Sequence, residues 1–189
     1  MQGRGAQTRR RLLDAAATVF ARRGYHAARV DDIVKVAKTS HGTFYLYFEN
    51  KQALFAALAG EVTERMDTLI ADFPAFGRDE RGRDELEVWL ARFADLYRTS
   101  GPVLRAWTEA EIAGERVGEL GAASSERLVD EIAERFRAAA VDVDPRTAAR
   151  AIVAMIERSN YYLLTKQLDV DVASMTATLA RVTHAAIYG

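Results

Sequence analysis

The 189-residue sequence predicts an all-α protein of about nine helices, in which a small three-helix module precedes a larger helical domain. Alanine is frequent, proline occurs only at positions 74, 102 and 145, and apolar residues recur at spacings of three and four. This periodicity is typical of amphipathic helices rather than strands. We expect two domains, residues 1–50 and residues 51–189.

The first three helices are predicted from caps and apolar spacing. The first helix begins near Thr8, a suitable N-cap. It ends at Gly24, since a glycine readily adopts the left-handed backbone conformation that is common at helix C-termini. A short second helix covers residues 30–37. After the connection "KTS", Ser40 is the expected N-cap of a third helix.

The remaining six helices fill the rest of the chain. The fourth runs from Asn50 to about Asp72 and is followed by the loop "PAFGRDERGR". Further helices are expected at residues 84–99, 103–113, 122–140, 145–168 and 171–188. Pro102 and Pro145 lie near predicted helix starts, where a missing N–H group costs nothing. The segment "AGERVGELGAA" contains three glycines, which could mark a break.

Composition excludes several classes of protein. The chain has no cysteine, so it has no disulfide, thiolate metal site or cysteine nucleophile. No stretch approaches the 18 apolar residues of a membrane helix, and the N-terminus lacks the apolar segment of a signal peptide. We expect a soluble, cytoplasmic protein with no membrane partner.

The charge of the chain is unevenly distributed. Residues 1–55 hold ten Lys and Arg against four Asp and Glu, a net charge of +6, although the whole chain carries −1. A basic module joined to an acidic domain indicates contact with nucleic acid. Chance clustering of charges on solvated faces is the alternative.

The stretch "SHGTFYLYF", residues 40–48, is predicted to be a helix with two distinct faces. On a helical wheel, Phe44 and Phe48 share the face that packs against the first two helices. Gly42, Leu46 and Thr43 lie on the opposite side, with the tyrosines Tyr45 and Tyr47 flanking them. Such a helix suits insertion into a DNA major groove, since the flanking phenols can reach phosphates while glycine permits close approach.

Two short helices joined by three residues follow the plan of a helix-turn-helix. The segment "GYHAARVDDIVKVAKTSHGTFYLYFENKQALFAAL", residues 24–58, resembles the DNA-binding region of the TetR family of bacterial transcriptional regulators. The shared features are a glycine and an aromatic residue that close the first helix, Ser-x-Gly-Thr-aromatic-Tyr-x-Tyr-Phe in the third, and Asn-Lys at the start of the fourth.

The resemblance implies roles for individual residues. His41, Gly42 and Thr43 fall where bases are read, and Tyr45, Tyr47 and Lys51 where phosphates are held. The DNA-binding candidates are thus Arg29, Lys38, Ser40, His41, Gly42, Thr43, Tyr45, Tyr47 and Lys51.

This chain departs from the family pattern at two positions. Arg29 replaces the usual Thr or Ser cap of the second helix, and Lys38 replaces the usual turn glycine, which leaves the conformation of the turn open. Both changes add positive charge. Asp31 and Asp32 would repel phosphate unless they stabilise the first turn of their helix or pair with Arg29.

The resemblance further implies a homodimer that responds to a small molecule. We expect the dimer to form through the last two helices, whose broad apolar stripes face the monomer core, a partner, or both. A hydrophobic or aromatic effector would suit a pocket drawn from Met66, Trp89, Phe93, Tyr97, Trp107, Glu111, Tyr161 and Tyr162. Ordinary core packing is the alternative for each of these residues.

An enzyme is the competing class. The sequence has no Gly-x-Ser-x-Gly, phosphate-binding glycine loop or His-Glu-x-x-His pattern. Its histidines, at positions 26, 41 and 184, lack metal-ligand spacing. We therefore expect no catalytic residue, metal or cofactor. A helical interaction module without a DNA role is the third alternative.

Overall fold

The computed structural model describes the backbone of residues 2–112 and 119–189 and the side chains of residues 3–107 and 122–189. The described ranges are helical and contain no strand. Their helices are α1 (Gln2–Ala27), α2 (Val30–Val36), α3 (His41–Tyr47), α4 (Lys51–Ala71), α5 (Glu80–Ile112), α6 (Glu119–Ala139), α7 (Pro145–Leu164) and α8 (Val172–Tyr188). The predicted all-α fold class is confirmed.

The chain divides into two compact units. The first comprises Met1–Glu64 with Ser100–Leu120, and the second comprises Arg65–Thr99 with Gly121–Gly189. The predicted division of the chain into residues 1–50 and residues 51–189 stays a prediction. None of the helices in the described ranges combines the length and apolar character that a membrane crossing needs.

The core of the first unit is built from the apolar faces of α1 to α4. Ile33 of α2 and Phe44 of α3 are fully buried, as are the side chains that α1 directs inward. Phe20 and Phe55 pack edge to face with ring centroids 5.6 Å apart. The predicted core positions Phe44 and Phe48 are therefore confirmed, and their burial fixes which side of α3 faces outward.

Helix α1 begins earlier than predicted. Thr8 lies inside it and its Oγ1 donates a hydrogen bond to the carbonyl of Arg4 at 3.0 Å, so Thr8 is not the cap. Residues 2–7 contain no proline, and each glycine among them costs only about 1 kcal/mol relative to alanine. Gly24 interrupts α1 with a φ of 75°, the positive value predicted for it.

Helix α5 joins two helices that the sequence separates at Pro102. An interior proline removes a hydrogen bond and costs about 3 kcal/mol or more. Buried side chains on both sides of it, including Leu96 and Val103, offset this cost and keep both halves helical. Tertiary packing here overrides the local signal of proline.

The second unit shows the predicted helix starts near its C-terminal end. Asp144 caps α7, accepting from Thr147 N at 2.8 Å, with Pro145 at the first helical position. Asp171 caps α8 in the same way, accepting from Ser174 N at 2.9 Å. Helix α7 ends at Leu164, before the predicted residue 168, because the backbone turns left-handed at Lys166, with φ 55°.

Candidate nucleic-acid interface

The connection between α2 and α3 is a tight turn centred on Lys38. Lys38 has a φ of 51°, and the N–H groups of Lys38 and Thr39 donate to the carbonyls of Lys35 and Val34 at 3.3 and 3.0 Å. This is the hydrogen-bond pattern of a Schellman motif, which satisfies the last carbonyls of α2. Lysine in the left-handed region costs about 1 to 2 kcal/mol. The turn therefore forms without the usual glycine.

The start of α2 depends on Asp32 rather than on Arg29. A guanidinium has no acceptor, so the Arg29 side chain cannot cap the helix. Asp32 Oδ2 instead accepts from the backbone N–H of Arg29 at 3.3 Å, and Asp32 Oδ1 pairs with Arg23 at 3.4 Å. The side-chain partner of Asp32 is thus Arg23, where the sequence suggested Arg29.

The predicted N-cap of α3 is confirmed. Ser40 Oγ accepts from the Thr43 backbone N–H at 3.2 Å and lies 3.0 Å from Thr43 Oγ1. This cap occupies the Ser40 hydroxyl within the protein, so direct contact of Ser40 with DNA stays a prediction. The half-buried Thr43 hydroxyl has two lone pairs and one hydrogen, which leaves capacity for a further bond.

The outward face of α3 is open to solvent. His41 and Gly42 are exposed, Tyr45 is 57% exposed and Leu46 is 81% exposed. Tyr47 is half-buried, and its hydroxyl lies close to Gly5 in the first turns of α1. Leu46 was not among the candidate DNA contacts, although its place beside Gly42 on the helical wheel already indicated this face.

Gly42 is not required by the fold. A Cβ added there would meet only the Ser40 Oγ, at an ordinary 3.8 Å. The absence of a side chain is therefore best explained by something that approaches α3 from outside.

Gly42→Ala is expected to stabilise the protein by about 0.5 kcal/mol, since alanine has the higher helix propensity. The added methyl group should weaken binding to duplex DNA by about tenfold, because it holds the backbone away from the groove. Thermal unfolding and fluorescence anisotropy would measure the two effects. Unchanged DNA affinity would show that Gly42 does not approach the groove closely.

His41 is paired with an acid from the preceding helix. His41 Nε2 lies 2.5 Å from Asp31 Oδ1, and the two side chains are 54% and 71% exposed. Asp31 lies in the first turn of α2, as one of the two predicted alternatives has it, and its side-chain partner is His41 rather than Arg29.

Lys51 at the start of α4 is directed towards the protein. Its ammonium donates to the carbonyls of Tyr25, Ala28 and His26 at 2.8, 3.1 and 3.4 Å, and it lies 4.5 Å from the centroid of the Tyr25 ring. These bonds join α4 to the end of α1. The predicted phosphate contact would require the ammonium to leave them.

The arginines of α1 differ in their surroundings. Arg10 bonds to Asp14 and Glu61, and these hydrogen bonds raise the pKa of its guanidinium. Arg9 instead lies over the ring of Phe48, 5.4 Å from its centroid, at the end of α3. Of the two, Arg9 is the better placed to add positive charge beside that helix.

Three aromatic effector candidates form one stacked row in the core of the second unit. Trp89 and Phe93 are 2% and 0% exposed, and Trp89 Nε1 donates to the carbonyl of Leu69 at 2.8 Å. Phe93 stacks on Tyr97 with centroids 5.1 Å apart. Burial raises the pKa of the Tyr97 hydroxyl, and the nearby Glu157 carboxylate raises it further. This row has the geometry of core packing.

The other effector candidates are dispersed. Tyr161 and Tyr162 are half-buried on α7, each with its ring centroid 5.6 Å from the Arg158 guanidinium. Met66 is half-buried on α4, and Trp107 is buried in the first unit. The side chain of Glu111 lies outside the described residues.

An open groove of about 690 Å³ lies between α4 and α5 within the second unit. Its walls combine apolar side chains with the arginines Arg65 and Arg92. The effector shortlist contains none of the residues that line it. Within the described residues, no group of three or more histidine and acidic side chains is placed to bind a metal ion.

Comparison with known proteins places the helix-turn-helix segment in a family. The family model described as bacterial regulatory proteins, tetR family, matches residues 12–58. A transcriptional repressor of the helix-turn-helix type from Mycobacterium tuberculosis is 35% identical over 128 residues, which cover 65% of this chain and 65% of that protein. The fatty acid metabolism regulator protein of Bacillus subtilis is 43% identical over 60 residues, 30% of this chain and 31% of that protein. The chain thus matches between about a third and two thirds of these relatives' length.

The similarity of the fold extends further than that of the sequence. GusR of Salmonella enterica superposes with a TM-score of 0.73 at 24% identity, covering 97% of this chain and 96% of that one. A TetR-like transcriptional regulator from Rhodococcus superposes with a TM-score of 0.70 at 25% identity, covering 92% and 93%. The similarity of the fold therefore extends beyond residue 58, where the family model ends.

Proposed function

We propose that the chain is a repressor of the TetR family, which binds operator DNA as a homodimer and dissociates when a small molecule binds; the family model that matches residues 12–58 supports this proposal. The observation that carries the proposal is the outward face of α3, where glycine, threonine, histidine, tyrosine and an almost fully exposed leucine occur together. A glycine that the fold does not need, among exposed side chains able to donate and accept hydrogen bonds, suits a surface that a partner approaches closely.

We assign α3 to the major groove. Thr43 and His41 read base edges, and Gly42 lets the backbone come close to them. Leu46 joins this set, since its exposed side chain can contact the methyl group of thymine. The hydroxyls of Tyr45 and Tyr47 donate hydrogen bonds to phosphate oxygens, which fixes the position of the helix on DNA without reading the base sequence. Lys51 supports this surface from within the protein.

A dimer is proposed because one short helix contacts too few base pairs for strong specificity. Two-fold protein symmetry would then be mirrored in a palindromic operator whose half-sites lie about 34 to 36 Å apart. We assign the interface to α7 and α8. Several apolar residues of these helices, Ile152, Ile156, Leu179 and Ile187, are buried in the monomer. Exposed Val172 and Val182 remain available for a partner.

The effector is proposed to be a small molecule with a hydrophobic or aromatic body. Half-buried Met66, Tyr97, Tyr161 and Tyr162 are the shortlisted side chains that a ligand can reach with least rearrangement. The relative named as a fatty acid metabolism regulator is compatible with an apolar ligand, but its match covers only 31% of that protein. A thermal-shift screen of the purified dimer tests this part of the proposal directly.

The DNA-binding proposal is tested with Thr43→Ala on cognate and scrambled duplexes. Loss of the hydroxyl and methyl groups is expected to weaken cognate binding by about 1 to 2 kcal/mol per half-site and to relax base preference at one position. Scrambled DNA should bind as before, since non-specific affinity comes from phosphate contacts. The operator is found by selection from random duplexes and mapped by footprinting.

Tyr45→Phe serves as the matched control, because it removes a phosphate contact that cannot distinguish bases. It is expected to weaken both duplexes about equally. Protection of one asymmetric half-site by a monomer would contradict the dimer. Equal effects of Thr43→Ala on both duplexes would contradict the assignment of this face to base reading.

A further inference from the structure

Asp31 and His41 bring an acid into contact with the first residue of the recognition helix. His41 opens α3, and its Nε2 lies 2.5 Å from the Asp31 Oδ1. Asp31 lies in the first turn of α2, ten residues earlier in the chain. Both side chains are more than half exposed, so this pair forms part of the surface that the proposed function turns towards DNA.

The carboxylate determines which nitrogen of His41 carries the hydrogen. An ionised carboxylate only accepts hydrogen bonds, so Nε2 must be the donor in this contact. In a neutral imidazole the other nitrogen, Nδ1, then has a lone pair and no hydrogen. While its ring is neutral, His41 is thereby an acceptor at Nδ1, whereas a neutral histidine without such a partner exchanges between two tautomers.

The bases differ in what they offer to such an acceptor. In the major groove, adenine presents the N6 amino group and cytosine presents the N4 amino group as donors. Guanine and thymine present acceptors there, which Nδ1 of a neutral His41 cannot pair with. We propose that Asp31 is a positioning residue that fixes the tautomer of His41, so that His41 selects an adenine or cytosine amino group. This inference rests on the proposed function.

The Asp31 carboxylate should also weaken the affinity for any DNA, which distinguishes its role in base selection from a general contribution to binding. An exposed carboxylate in a module of net charge +6 opposes attraction to phosphate. Its removal should therefore strengthen non-specific binding while it weakens discrimination between bases. A residue that merely stabilised the fold would change both in the same direction.

The test uses full-length Asp31→Ala, His41→Ala and the double variant. Each variant first selects its preferred sequences from a random duplex library. Its affinity is then titrated on duplexes in which one base pair at a time is replaced. Asp31→Ala and His41→Ala are each expected to lower the preference for adenine or cytosine at the same position of each half-site by about 2- to 10-fold, the value of one hydrogen bond. The double variant should lose no more than His41→Ala alone, because the two residues act as a unit. Asp31→Ala should bind scrambled duplex about 2-fold or more tighter than the unchanged protein.

Asp32→Ala is the matched control, since it removes the same charge from the neighbouring position. Asp32 pairs with Arg23 and accepts from the Arg29 backbone. Circular dichroism first shows whether Asp32→Ala is folded. The folded variant should bind scrambled DNA more tightly than the unchanged protein, and its preference among bases should be unchanged.

Two results would overturn the inference. One is a base profile of Asp31→Ala that matches that of the unchanged protein, and the other is an effect of Asp31→Ala that persists in full when His41 is already alanine. If the unchanged protein selected no sequence at all, the proposed function would fail together with this inference. A selected palindrome with an unaltered profile for Asp31→Ala would reject the inference alone.

Discussion

Phe93→Ala is expected to lower the free energy of unfolding by about 3 to 5 kcal/mol, the range for truncation of a fully buried phenylalanine. Phe93 is 0% exposed and lies between Trp89 and Tyr97, with ring centroids 5.3 and 5.1 Å away. Its removal leaves a cavity that these neighbours cannot fill. Chemical denaturation followed by tryptophan fluorescence, at one fixed protein concentration, measures the loss.

The matched control is Tyr161→Ala on α7. Tyr161 is half-buried, and its ring centroid lies 5.6 Å from the Arg158 guanidinium. Its truncation should cost about 1 kcal/mol or less. A loss of under about 1 kcal/mol for Phe93→Ala would show that the ring lines an open pocket. Trp89, Phe93 and Tyr97 would then be assigned to the effector pocket.

Local patterns predicted the elements of this protein well where the signal lies within a few residues. The N-cap at Ser40 was predicted from its polar side chain, and the starts of α7 and α8 were predicted to within a residue, where Asp144 and Asp171 provide the caps. The two faces of α3 follow from helical periodicity alone, because burial of Phe44 leaves only one orientation for the helix.

Contacts between distant residues lay beyond this kind of reasoning. The partner of Asp31 is ten positions away, and the carbonyls that bind Lys51 are 23 to 26 positions away. The first contact arises only when α2 and α3 pack together, and the second only when α4 meets the end of α1. Pro102 failed as a boundary for the same reason, since the burial that offsets its cost is a tertiary property.

Lys51→Met is expected to lower the free energy of unfolding of the first unit by about 2 to 3 kcal/mol. Methionine preserves the length of the side chain but cannot donate, so three carbonyls at the end of α1 lose a charged partner. The ammonium also stabilises the negative end of that helix and lies over the Tyr25 ring, contributions that methionine lacks. Urea titration with circular dichroism measures the change.

Lys35→Met is the control for loss of charge, because Lys35 is exposed on α2 and its replacement should change stability by about 0.5 kcal/mol or less.

DNA titrations at several salt concentrations, under conditions in which each variant is folded, separate the two roles of Lys51. A structural Lys51 makes the variant unstable while the slope of log affinity against log salt stays nearly the same. A phosphate-binding Lys51 gives the reverse, a stable variant whose slope falls by about 1 for each subunit. Because the ammonium has three donors and three carbonyl acceptors within 3.4 Å, we expect the first result.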